Sequence, residues 1–556
     1  MERTTTPQTT RGSDAPRKND KVGWLDLPNK DQLFILALCR LSEPLSNVCL
    51  LPYIYYLVRS ALAVKHGDSS DRTATAAEIS TYSGVLVASF SLAQFVASLP
   101  WGRMSDSYGR RFSVVIGLVI SVISNAAFGF SRSFGALLFW RTIAGLANAN
   151  VGIMRTMTAE IVGPDRKFQT KAFLLLPLVF NSGMVLSLAL GGLLAEPAAN
   201  MPFLFKGVQW AIDYPYALPA VINSVMLGFA LLLAVFWLRE TLAGKEDNKD
   251  IGLRIGHAMQ TACFRRQKAS YQALSGAEDV LLDSPPTAQS VTLDESKESN
   301  MKEPATPMEN IALGGSNIRA NPSLRSILTF RTIAAMVSFG LLPLHNSTFM
   351  HIFPVFLATP PDGVQHEHTN LLAFTGGLGL HAASIGIWLA VFGIGGILLQ
   401  LFIYPRMQAR IGTLGVFKVS LIIFPLVYLL APYLSLLPDK GTFSFLRWIG
   451  LAIIICGQIM ARTMAIPSTV ILLTEAAPAK NVLGTVHGAG NMLACLARAV
   501  GPAVGGAVYS VGVKEGVIGA VWWFYLVVVA VVAAGWCFGV QGRAERRLDR
   551  YRSSPV

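Results

Sequence analysis

The apolar residues of this chain fall into long runs rather than into alternating or single-stripe patterns. Windows of this kind occupy 32–58, 81–101, 112–131, 134–160, 171–195, 215–238, 328–357, 383–404, 414–437, 445–474, 483–511 and 517–541. About 20 mostly apolar residues are needed for a helix to cross the hydrocarbon of a bilayer, so each window predicts one span. The pattern therefore predicts an all-α membrane protein of twelve transmembrane helices, six on either side of a long polar segment. A membrane β-barrel is excluded, because its strands are about ten residues long and alternate in polarity. Helices also satisfy their own backbone groups where lipid cannot.

The polar residues set the topology. Short cytosolic connections carry the Lys and Arg excess of a membrane protein. Here Arg103, Arg110 and Arg111 follow span two, Arg166, Lys167 and Lys171 follow span four, and Arg406 and Arg410 follow span eight. Arg543, Arg546, Arg547, Arg550 and Arg552 follow span twelve, whereas the alternate connections hold little beyond Arg132, Lys206, Lys440 and Lys514. Both termini are thus expected in the cytosol. The N-terminal stretch, with Arg11, Asp14, Arg17, Lys18, Asp20 and Lys21 ahead of anything apolar, lacks the apolar h-region and small-residue cleavage site of a signal peptide. The expected organisation is a cytosolic tail over 1–31, a six-helix bundle over 32–242, a cytosolic linker over 243–326, a second bundle over 327–541 and a cytosolic tail over 542–556. The linker's second part, with Ser284-Pro285-Pro286 and Glu295-Ser296-Lys297-Glu298-Ser299, is expected to be disordered. Its first part, Ile251 to Leu274, reads either as a basic amphipathic helix on the inner leaflet or as a solvated helix.

Composition agrees: 52% of the residues are hydrophobic, 14% are charged, and the mean hydropathy of +0.47 exceeds what a soluble core requires. The net charge of +13 raises nucleic acid as a partner, but the cations lie in loops and tails rather than in one stripe, so none is expected. Cys39, Cys49, Cys456, Cys495 and Cys537 fall inside apolar runs without paired spacing and read as small hydrophobes. His366-Glu367-His368 and His381 share an irregular loop that underdetermines a metal, so no metal site is assigned. No Gly-x-x-x-x-Gly-Lys-Ser/Thr loop occurs, and no cofactor or enzymatic activity is expected.

The halves echo each other. Trp101-Gly102-Arg103-Met104 and its continuation to Arg111 return in degraded form as Tyr404-Pro405-Arg406-Met407 through Gly412, 303 residues later. Arg141 is matched by Arg447, and Arg155-Thr156-Met157 by Arg462-Thr463-Met464. Spans five and eleven carry small residues every fourth position: Gly183, Ser187, Gly191 and Gly192 in one, Ala497, Gly501-Pro502, Gly505 and Gly506 in the other. That spacing allows a neighbouring helix to approach closely. Two related bundles around a shared site are the usual construction of a secondary carrier.

The stretch Gly102-Arg103-Met104-Ser105-Asp106-Ser107-Tyr108-Gly109-Arg110-Arg111 resembles the loop signature of the major facilitator superfamily. Trp140-Arg141-Thr142-Ile143-Ala144-Gly145 resembles its second signature, and Ala497 to Gly506 the Gly-Pro signature of its drug:proton antiporters. Pro52-Tyr53-Ile54-Tyr55 and Asn148 to Thr156 look like fungal members of the twelve-helix antiporter branch, near the zinc-induced-facilitator-like group. One departure is visible: span five has Ser187-Leu188 where that branch has Gly-Pro. Leu238-Arg239-Glu240-Thr241-Leu242 differs from the sugar-porter pattern and argues against sugar uptake.

The resemblance implies a proton-coupled carrier that exports a small organic molecule, such as a drug, toxin, metabolite or organic anion, by alternating access, with the plasma membrane preferred over the vacuole. Its expected partners are the small-molecule substrate, protons and the bilayer, and a monomer is expected. Uptake by symport or facilitation, and a sensor without transport, are the competing readings.

Ionisable residues at membrane depth cost about 2.5 to 3.5 kcal/mol each by insertion scales, which points to Arg40 and Glu43 in span one. Three residues apart, they share a helix face; Glu43 reads either as the proton-coupling carboxylate or as half of a fixed pair. Arg141 is implicated by resemblance in proton release or substrate binding, with a cation reaching to the outer interface as the alternative. Gly102, Asp106, Gly109, Arg110 and Arg111, with Glu160, form the expected cytosolic gate, in which Asp106 faces the N-terminus of span eleven and latches the bundles. Arg155, Gln458, Arg462, His487, Asn491 and Arg498 are cavity candidates, and several arginines there favour anionic cargo. The alternative is that some simply meet cytosolic water.

Overall fold

The computed structural model describes residues 27–65, 75–148, 150–163, 166–242, 328–361, 376–438, 444–478 and 483–541, with a few short stretches between them. The N-terminal tail, most of the linker, the C-terminal tail and His366-Glu367-His368 lie outside the described residues.

Among the described residues, eight helices are long and apolar enough to cross a membrane, and the other spans differ for identifiable reasons. One of the eight, Ala382–Leu436, contains two spans. A π-helical turn at Leu399–Ile403 carries span eight into the next helix, and Gly412, at φ 72°, turns the chain back into span nine. Span one is broken into Lys30–Arg40, Ser42–Asn47 and Ile54–Lys65. Pro44 and Pro52 cannot donate the hydrogen bonds that would carry one helix through. Span four is broken into Phe134–Ala147 and Val151–Val162. Span five is Arg166–Leu194. The remaining spans are Ala76–Tyr108, Arg110–Gly129, Ala217–Trp237, Phe330–Ala358, Phe445–Ala476, Leu483–Lys514 and the segments from Ile518 to Gln541. Twelve spans result, six in each half.

Within the first half, span three packs on span six, and span four on spans two and three; within the second, span seven packs on span eleven and span nine on span ten. The two most extensive contacts between the halves are span two with span eleven and span five with span eight, and span seven also touches spans one and two. The small-residue stripes make these contacts in matching fashion. Methyl groups on Gly183 and Gly191 would strike Leu41, Pro44 and the Cys49 carbonyl of span one, and one on Gly192 would strike Gly386 of span eight. In the second half, Gly501 and Gly505 lie against Leu344 and Thr348 of span seven, while Gly506 lies against Ser80 and Gly84 of span two. Each stripe therefore faces the broken or proline-containing helix of its own half on one side and the opposite half on the other.

The halves touch along only part of their length. On the face away from the tails, Ser80 Oγ donates to Gly506 O at 3.1 Å, and Tyr56 OH donates to Leu380 O at 2.6 Å. A methyl on Gly84 would lie 2.6 Å from Pro502 O. The contact continues inward to Gln94 and Cys495. The same antiparallel register brings Gly102 opposite Gly488, yet a methyl on either meets nothing within 4 Å. The halves are joined on the far face and inward to Gln94 and Cys495, and beside Gly102 and Gly488 there is open space. Pro502, inside span eleven, contributes the carbonyl nearest Gly84 at the seal.

Candidate functional site

A charged cluster lies between span one and span eleven. The first break in span one, at Leu41, brings Glu43 inward, where it is 2% exposed. Arg40 Nη1 donates to Glu43 Oε2 at 2.5 Å, and Arg498 Nη1, from span eleven, donates to Glu43 Oε1 at 3.2 Å. One carboxylate thus binds a cation of its own half and one of the opposite half. Arg40 also stacks on the Phe180 ring at 5.0 Å. Arg155 of span four stands within electrostatic reach of Arg40, Glu43 and Arg498. The cluster gathers three guanidinium groups around a single acid.

The other cavity candidates separate. His487 Nε2 lies 3.0 Å from Thr474 Oγ1, with the ring in electrostatic reach of Arg155, and Asn491 Nδ2 points to Cys495 Sγ at 3.8 Å. Both belong to the span-eleven wall. Arg462 Nη1 contacts Met184 Sδ at 2.7 Å, crossing from span ten to span five. Gln458 is held inside the second half, donating to Asn346 Oδ1 at 3.0 Å with no exposed surface.

Arg141 is 3% exposed and does not extend to an outer interface. Its guanidinium donates to the Ser46 carbonyl, to Asn47 O at 2.9 Å and to Asn47 Oδ1 at 2.7 Å, above the Phe90 ring at 4.8 Å. Ser46 and Asn47 end the second helix of span one, so these carbonyls lack intrahelical donors and attract a cation. Arg141 thereby fixes the break that delivers Glu43. Arg141→Gln is expected to orphan these carbonyls at about 1–3 kcal/mol each, lowering the thermal unfolding midpoint of purified protein by several degrees.

At the tail face, Asp106 pairs with Arg110 four residues on, and Arg110 Nη2 lies 3.5 Å from Glu160 Oε1. The latch expected between Asp106 and span eleven is not made: the Asp106 side chain is 66% exposed and pairs with Arg110 instead. The acid at a helix N-terminus is instead Glu240, which sequence reasoning passed over. It accepts from Arg110 N at 2.9 Å, Arg111 N at 3.1 Å, Thr241 N at 3.0 Å and Leu242 N at 3.1 Å. The first two are unpaired donors opening span three, where an anion is favoured. Gly109, at φ 124°, leaves room for this carboxylate, since a side chain there would collide with Glu240. Arg111 donates to the Ala234 and Val235 carbonyls, and Thr241 Oγ1 to Glu160 Oε2 at 2.5 Å. The gate residues of the first half therefore form one network spanning the ends of spans two, three, four and six. Its sequence signal was an acid two residues beyond the last apolar run of the first half.

Two six-span halves joined by a buried charge bridge are the construction of a membrane transporter. The Major Facilitator Superfamily family model matches residues 36–360. The chain is 32% identical over 521 residues to the Major facilitator superfamily multidrug transporter mfsB of Aspergillus fumigatus, covering 91% of this chain and 83% of that protein. It is 24% identical to Protein ZINC INDUCED FACILITATOR 1 of Arabidopsis thaliana, over 84% of this chain and 81% of that one. The solved human organic anion transporter MFSD10 shares the fold with a TM-score of 0.53 at 16% identity, covering 92% of this chain and all of that one. The chain belongs to the Major Facilitator Superfamily.

Proposed function

We propose that this protein is a proton-coupled secondary carrier that takes a small organic molecule from the cytosol and releases it beyond the membrane. The observation that carries this reading is the Glu43–Arg498 bridge, made between the two halves at the closed end of the cleft. The cation-rich connections lie on the tail face, so the positive-inside rule assigns that face, both termini and the cleft to the cytosol. The rocking units are 32–242 and 327–541, joined by the 243–326 linker, and a monomer contains the whole site. The name of the fungal relative, a multidrug transporter, supports export, and the plasma membrane is the preferred location.

Ionised Glu43 holds Arg40 and Arg498 together. A proton on Glu43 removes both attractions, so the bridge survives only in the deprotonated state. Arrival of a proton from the far face and its loss to the cytosol would break and remake the link between halves once per cycle, which is what coupling requires.

A second reading, uptake of an organic anion with a proton, is favoured by the charge of the cluster. An anion and a proton on Glu43 offset each other beside three arginines and would load together. Proteoliposomes with the tail face outward and an acidic lumen separate the two, with carboxyfluorescein and ethidium as probes. Export predicts that one dye accumulates in the lumen as protons leave it. Symport predicts that preloaded carboxyfluorescein leaves the lumen with the protons. Failure of both dyes to move in either direction under the gradient, in protein shown to be folded, would count against both.

A further inference from the structure

The far-face seal contains a titratable group that the cycle described above does not use. His351 of span seven is 1% exposed, and neither ring nitrogen makes a hydrogen bond of good geometry, the nearest acceptor being the Ser80 carbonyl of span two, across the junction. The ring lies at the junction of the halves: a methyl on Gly84 of span two would stand 3.5 Å from Nε2 and 3.2 Å from the Gly506 Cα of span eleven. The contacts around it are made by neutral groups: Ser80 Oγ on the Gly506 carbonyl, the Pro502 carbonyl against Gly84, and Tyr56 on the Leu380 carbonyl. In the far-face parts of the elements packed on span seven the titratable residues are Tyr53, Tyr55, Tyr56 and Arg59 in span one, Glu78 and Tyr82 in span two, Tyr428 in span nine, Arg447 in span ten, Tyr509, Lys514 and Glu515 in span eleven and Tyr525 in span twelve. Glu78 is occupied in capping its own helix at Thr75, and Tyr509 is itself buried. No acid of these elements is bonded to the imidazole.

We propose that His351 is a second proton-binding site, loaded from the far compartment, whose protonation opens the seal. The inference rests on the transporter reading and on the orientation given above, and it goes beyond the role of Glu43. A buried histidine with no acid beside it, and at most the neutral Ser80 carbonyl, is kept dry only while neutral, since a buried cation without a counter-charge is costly. When spans two and eleven part on the far face, the ring meets water and can take a proton without that penalty. Proton binding therefore favours the outward-open state by linkage, because it is allowed in one state and opposed in the other. In an exporter this places the acid-sensitive step at the face where cargo leaves. Histidine is suited to it because its unperturbed titration near pH 6.5 falls between an acidic exterior and a neutral cytosol.

The size of the effect follows from the same number. If only the open seal accepts the proton, with ordinary histidine affinity, lowering external pH from 7.5 to 5.0 raises the open-to-closed ratio by about thirtyfold at most.

The test uses the full-length protein in cells and a membrane-impermeant maleimide. Ser80→Cys reports the seal, and Asn200→Cys, an exposed position in an outer connection, corrects for thiolate lost on acidification. The expected result is that Ser80→Cys labelling relative to Asn200→Cys rises several-fold or more between pH 7.5 and 5.0. It should stay flat when His351→Phe or His351→Gln is added. Retention of the rise in both variants, or its absence in the otherwise unmodified Ser80→Cys protein, would overturn the proposal. Asn200→Cys labelling from outside also tests the orientation. The Glu43 reading is judged separately by gradient-driven dye flux, so either can fail while the other stands.

Discussion

Glu43→Gln is expected to yield a folded carrier whose transport no longer follows a proton gradient. The substitution keeps the shape of the side chain and removes the charge that Arg40 and Arg498 share. In a closed interior, stripping one partner from a buried pair costs about 3–5 kcal/mol. Here the penalty is smaller, because the Arg498 side chain is 26% exposed and the cleft admits water to the orphaned guanidinium groups. The fold should survive while the coupling does not. Proteoliposome flux driven by an imposed pH gradient is expected to fall at least about tenfold, equivalent to about 1.4 kcal/mol. Counterflow, in which cargo on one side exchanges with cargo on the other, should continue and lose its pH dependence. Arg498→Gln should reproduce the loss, and the double variant should be no worse than either single one, since both remove the same bridge. Gradient-driven flux at wild-type rate in Glu43→Gln would show that the proton acts elsewhere.

Much of this architecture was legible in the chain. The twelve apolar windows correspond to twelve spans, because lipid imposes a length and polarity that few other environments demand. The family was legible from the loop between spans two and three, where glycines, an acid and arginines stand at fixed separations. The small-residue spacing of spans five and eleven announced close approach, although the identity of the approaching helices needed coordinates. The breaks in spans one and four were missed, even though Pro44 and Pro52 were in plain view. A hydropathy window averages over a break that leaves composition unchanged, and the compensation comes from Arg141, roughly 95 residues away in sequence.

The gate was harder still. Asp106 was assigned to span eleven because a loop acid and a helix N-terminus are complementary. That complementarity does not say whether the two meet in a given packing, and here Asp106 is exposed and pairs with Arg110. Glu240 takes the equivalent electrostatic position on span three, inside one half. His351 gave no signal at all: a lone histidine in an apolar span becomes interesting only when its neighbours and its lack of partners are known.

The largest conformational effect is expected from filling the glycine contact of the far-face seal. A side chain on Gly84 would come within 2.6 Å of Pro502 O and 3.2 Å of Gly506 Cα. Both are backbone, so neither can swing aside as a flexible side chain would. Gly84→Val must therefore part spans two and eleven on the far face. Overpacking of this kind costs about 1–3 kcal/mol where the structure cannot relax, but a two-state carrier can relax by opening outward and closing the cytosolic cleft. A bias of 1.4 kcal/mol already shifts that equilibrium tenfold, so maleimide labelling of Gly488→Cys from the cytosolic side should drop by about tenfold or more in the Gly84→Val background. Gly102 provides the opposite case. It meets nothing in the open cleft, so Gly102→Val costs little in this conformation, yet it obstructs approach to Gly488 when the cleft shuts. That variant should hold Gly488→Cys labelling at or above its starting level while turnover of cargo falls. Opposite shifts in labelling from one glycine-to-valine change at each end of the same helix pair follow from rigid halves rocking about the charged cluster. Equal shifts would mean that the two ends of spans two and eleven do not move as parts of one lever.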